Sequence, residues 1–164
     1  MRQLRDAEDF FEQVAKPAYK QFSEGNPDFL NVFSMVNSMF NMAEWLFHHN
    51  RAQVQAKFGK NINSGGRLWK VVVETEVVGA GLIRDVANSS KHVILAQQPS
   101  TDVRSAEDTG ITTPVFAPGI FDSGIFQTSS RVLVQDGKRQ IPLEPIAEEV
   151  FLLWGSLIGQ FYPT

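Results

Sequence analysis

The chain has 164 residues, of which 43% are hydrophobic and 20% charged, a balance that fits one globular domain and excludes a disordered or fibrous polymer. Its 15 basic and 18 acidic residues leave a net charge of −3, so no global positive field draws it to DNA or to an anionic membrane. With no cysteine there can be no disulfide, zinc–thiolate centre or thiol nucleophile. No apolar run reaches membrane-spanning length and the N-terminus lacks an apolar signal core, so a cytoplasmic protein without a membrane partner is expected.

In chain order, Asp6 is a good N-cap for a first helix whose apolar stripe is Phe10, Phe11, Val14 and Ala15. Pro17 should kink or end that helix, with Tyr19 and Phe22 continuing its packing face. Residues 23–27 read as a loop, after which Asp28 caps a long helix running to Phe58, where Gly59 supplies a stop. Val32, Met35, Val36, Met39, Phe40, Met42, Ala43, Leu46 and Phe47 cover more than half of this helix. The remaining stripe is Ser34, Asn37, Asn41, Glu44, His48 and Arg51. It is either the exposed edge or one wall of a polar groove shared with a second helix. In the groove, Glu44 lies four residues before His48 and can orient its imidazole.

Residues 64–80 carry both a β-branched run, Val71 to Val78, and a helical stripe of Leu68, Val71, Val72, Thr75, Val78 and Leu82. Helix is preferred, with Ser64 as its cap, because nothing nearby offers a pairing strand. A further helix is expected from about Gly81 to Leu95. The stretch from Gln97 to Ser123 reads as irregular, with Pro99, Pro114 and Pro118, yet the neighbourhood 114–126 is rich in Val, Ile and Phe. Such a segment should pack on the bundle, on a second copy as a homodimer, or on a protein partner. A strand over Gln127–Val134, a turn at Asp136-Gly137 and a return strand over Arg139–Pro142 form a hairpin. Glu144-Pro145 then opens a final helix facing inward with Ile146, Val150, Leu153, Trp154, Leu157, Ile158 and Phe161. The fold expected is mainly α: a bundle of four to five helices with a β-hairpin inserted before the C-terminal helix. It forms one domain over 1–164, with 97–142 as an insertion.

The densest chemistry lies in Arg84-Asp85-Val86-Ala87-Asn88-Ser89-Ser90-Lys91-His92. At about 100° per residue, Ile83, Val86, Ala87 and Ser90 fall on one arc, and Arg84, Asp85, Asn88, Lys91 and His92 on the other. A dinucleotide loop at Gly79-Ala80-Gly81 is excluded, because Arg84 stands where the third glycine belongs. No HxxxH or ExxH pair suggests a metal, and Ser89 and Ser90 lack a nucleophile elbow. Acid–base chemistry at His92 and anion binding by Arg84 and Lys91 remain.

The run Asn88-Ser89-Ser90-Lys91-His92 resembles part of the R-[N/D/H]-x-x-x-H motif of HEPN domains, small helical bundles that include metal-independent ribonucleases of toxin–antitoxin and defence systems. Asn88 and His92 match the motif's polar and histidine positions, while its arginine falls on Ala87. The whole run is also similar to a signature in small bacterial proteins whose preceding helix carries acid-Trp-x-x-His, matched here by Glu44 to His48. The resemblance implies RNA as substrate and no cofactor. His92 would be the general acid/base, oriented by Asn88, with Arg84 and Lys91 on phosphate and Glu44, His48 and Asp85 in support. The competing expectation is a non-catalytic bundle whose polar cluster is structural and whose 114–126 segment mediates protein association.

Overall fold

Asp6 and Asp28 start the first two helices as their side chains dictate: Asp6 accepts the Asp9 amide at 2.9 Å and Asp28 the Asn31 amide at 2.7 Å. These caps belong to a computed structural model that describes residues 3–25, 28–91, 101–103, 105–112 and 131–163. The fold is mainly helical, with five helices among the described residues and a small antiparallel sheet before the C-terminal one.

Helix α1 (residues 7–24) does not end at Pro17. The Lys16 amide reaches back to the Phe11 carbonyl, five residues away, so Phe11–Ala15 forms a π-turn. That widening relieves the clash between the proline ring and the carbonyl four residues before it, and the helix passes through. Helix α2 (Phe29–Phe58) is the central rod, bent at Asn50, whose φ of −126° and ψ of 29° leave the helical region. Gly59 stops it at φ 114°, a conformation that favours glycine.

Helix α3 (residues 65–76) settles the ambiguous stretch: the Ser64 hydroxyl accepts the Arg67 amide at 3.1 Å, and no strand forms over 65–76. Its face differs from the regular stripe. A π-turn over Trp69–Val73 adds a residue to one turn, so Leu68, Trp69, Val72 and Val73 are buried, as is Val77 just beyond the helix. Val78, expected inside, is 89% exposed. Helix α4 (Ala80–Ser89) is shorter than the expected 81–95. The hydroxyls of Ser89 and Ser90 donate to the Val86 and Ala87 carbonyls at 2.9 and 2.8 Å, local bonds that compete with the helical ladder where it stops. His92 and the rest of 92–100 lie outside the described residues, as do 114–126.

Among the described residues the sheet holds three strands, β1 (Thr109–Thr112), β2 (Arg131–Asp136) and β3 (Arg139–Pro142), antiparallel in the order β1-β2-β3. Strand β1 arises inside the stretch read as irregular, pairing Thr109 with Val134. Four residues alone carry little strand signal; the partner supplies it. The hairpin turn is Gly137-Lys138, one residue later than Asp136-Gly137, because Asp136 pairs with Arg139. Gly137 has φ 60° and Lys138 does not, as a two-residue turn with glycine first requires. Helix α5 (Leu143–Phe161) follows directly. Around α2, the core takes Met35, Met39, Met42, Leu46, Trp69 and Trp154, and the sheet adds Val132 and Val134. The Trp154 indole N–H donates to the Met39 carbonyl at 3.0 Å, fixing α5 on α2.

Candidate functional site

Helix α4 presents Arg84 and Asp85 to the end of α3 and to residues 101–103. Arg84 faces Glu74 at 2.7 Å and holds Asp85 Oδ1 through Nε at 3.1 Å and Nη2 at 3.0 Å. Asp85 Oδ2 accepts both the amide and the hydroxyl of Thr101, each at 2.8 Å. The periodicity puts Asp85 on an outward arc, yet it is 1% exposed because Thr101 covers it. The Arg84 side chain is 14% exposed. A carboxylate so enclosed is held by charge-assisted bonds on both oxygens, and removing one partner would leave a buried charge uncompensated.

Glu44 and His48 belong elsewhere. His48 Nε2 lies 3.4 Å from Glu44 Oε2, and the side chains are 72% and 47% exposed respectively. Glu44 also accepts the Gly66 amide at 3.2 Å, so it receives the first turn of α3. Gly66 and Glu74 lie at opposite ends of α3, about 12 Å apart at 1.5 Å per residue. The two polar groups read from the sequence as facing walls of one site therefore hold opposite ends of the same helix.

A third set forms a surface groove. The Asn37 amide donates to Ser90 Oγ and to the Phe33 carbonyl, both at 2.8 Å, joining the polar stripe of α2 to the end of the signature. Beside this contact lies an open groove of about 610 Å³, lined by Phe10, Phe33, Asn37, Asn41, Ser90 and Lys91 among others. Lys91 is exposed, with Nζ 5.9 Å from the Phe40 ring. Asn88 is half-buried one turn before it. The upper half of the stripe, Ser34, Asn37 and Asn41, thus lines a groove shared with the signature, while Glu44 and His48 serve the α2–α3 junction.

Of the residues completing these arrangements, Glu74, Thr101 and Gly66 carry no local signal. Glu74 sits in a valine-rich run and Thr101 in a proline-bearing stretch. Asn37 and Ser90 were legible as polar residues but not as partners. Among the described residues, no group of three His, Cys, Asp or Glu side chains converges on a point that could hold a metal ion. Among them, too, no helix is long and apolar enough to cross a membrane. Comparison with known proteins finds no family model, no curated protein and no solved structure that matches this chain.

Proposed function

We propose that this chain works in the cytoplasm by association with protein, and that the Arg84–Asp85 half of its signature is architecture. Asp85 carries this reading: at 1% exposure, with Arg84 on one oxygen and Thr101 on the other, it offers no open face to a substrate. The contact surface is the apolar-rich 114–126 segment, which enters on its composition alone. Light scattering tests it: a variant with 114–126 shortened should lose self-association or binding to a partner isolated with the full chain. An unchanged mass and unchanged partner binding would count against it.

One observation favours a second reading, a HEPN-like metal-independent ribonuclease. Lys91, next to His92 in sequence, is exposed at the edge of the groove, where an ammonium can meet a phosphate. In this reading His92 is the general acid/base, Asn88 orients it and Lys91 neutralises phosphate, with RNA as substrate. Purified protein is incubated with RNA and a chelator. Cleavage by the wild type that His92→Ala abolishes would favour the nuclease; no cleavage favours association. Cleavage that survives the substitution would remove His92 from the assignment.

A further inference from the structure

Thr101, Asp102 and Val103 join parts of the molecule far apart in sequence. Thr101 binds Asp85 of α4 through its amide and hydroxyl at 2.8 Å. The Asp102 amide donates to Asp136 Oδ1 at 2.7 Å, at the tip of the β2–β3 hairpin. Val103 is fully buried in the core. A Cβ on Gly137 would come within 2.7 Å of Asp102 Oδ2, so residues 101–103, a strap across the molecule, and the hairpin turn lie directly against each other.

The hairpin is held differently at its two ends. At its root, the Val132 amide donates to Glu144 Oε1 at 2.7 Å, and β3 runs straight into α5. At its tip, residues 137–140 are exposed and bury no apolar side chain of their own. Segments with few buried contacts are those that open locally below the global unfolding free energy. The strap supplies what the tip lacks, and the strap is in turn gripped by Asp85, whose other oxygen is occupied by Arg84.

We propose that Asp85 and Thr101 form a latch: their contact holds the strap, the strap holds the hairpin tip against the bundle, and releasing it lets the tip open while the helices stay folded. The latch makes the hairpin tip responsive to whatever acts on the signature helix, because Arg84 and Asp85 lie one turn before Asn88 and two before Lys91. It stands independently of the association reading.

Hydrogen–deuterium exchange of the full chain, read by mass spectrometry, tests it. Thr101→Glu sets a second carboxylate against Asp85 and should accelerate exchange in peptides covering 134–141 by about tenfold or more, the scale of one lost charge-assisted bond. Thr101→Val keeps the amide donor and removes the hydroxyl, so its effect should be smaller and in the same region. Peptides covering 32–47 of α2 should exchange as in the wild type. Asp85→Asn should reproduce the Thr101→Glu pattern; should it fail to fold, the two Thr101 variants decide. Unchanged exchange at 134–141 would overturn the latch. So would equal acceleration in α2, because the tip would then open only with the whole molecule.

Discussion

Two single atoms set contacts that no local pattern announces. The α-hydrogen face of Gly65 lies against the α2 backbone: a Cβ there would come within 2.5 Å of the Glu44 N and Cα atoms. Because those atoms belong to a packed helix they cannot move aside, and Gly65→Ala should destabilise the fold by about 1–3 kcal/mol in urea or guanidinium unfolding. Wild-type stability would mean that α3 can shift off Glu44. The Trp154 indole nitrogen is the second case, since its bond to the Met39 carbonyl lies wholly inside the core. Trp154→Phe keeps much of the apolar bulk and removes the donor. A loss of about 1–3 kcal/mol or more is expected, part from the missing bond and part from the smaller ring. His48 shows the reverse: conspicuous in the sequence, it is largely solvated, and its contact with Glu44 is an exposed pair of the kind that contributes little.

At the scale of elements, the two π-turns account for the principal departures of the helices from regular patterning. In α1 the turn lets Pro17 sit inside a continuous helix; in α3 it rotates the downstream face so that Val73 and Val77 point inward in place of Thr75 and Val78. A π-turn holds one residue more than an α-turn needs, so deleting exposed Lys70 should restore regular helix while keeping Val72, Val73 and Val77 on the buried face. The expected result is a melting temperature by circular dichroism and a tryptophan emission close to those of the wild type, as Trp69 stays enclosed. A lower melting temperature with emission shifted to the red would show that the extra residue has a packing role of its own. The sheet follows the same logic of partners over patterns. Val132 and Val134 alternate clearly, whereas β1 has strand character only because β2 lies beside it.

Across the whole molecule, the end of α5 is tied to the bend of α2 and its middle to α1. The Tyr162 hydroxyl donates to Asn50 Oδ1 at 2.6 Å, where α2 bends, and Tyr19 stacks on Phe151 with ring centres 4.1 Å apart. Burial raises the ionisation of both phenols above the ordinary value, so the folded state favours their neutral forms. This stabilising contribution is complete below the unfolded-state value of about 10 and is lost as pH rises through the higher folded values. Chemical denaturation from pH 9 to about 11.5 should therefore show falling stability, with a shallower fall for Tyr162→Phe. An identical slope would mean that Tyr162 ionises as freely folded as unfolded. The helices, the caps at Asp6, Asp28 and Ser64, the stop at Gly59 and the hairpin before the last helix were all legible in the sequence, because hydrophobic periodicity and side-chain capping are local properties of neighbouring residues. The candidate site was legible only as a set of residues. Local spacing tells which side chains share a helix face, but not which element covers that face. Only the tertiary structure decided that Thr101 closes over Asp85, that Glu74 meets Arg84, that Glu44 receives α3, and that Asn37 meets Ser90 beside an open groove, since each contact pairs residues that chain packing alone brings together.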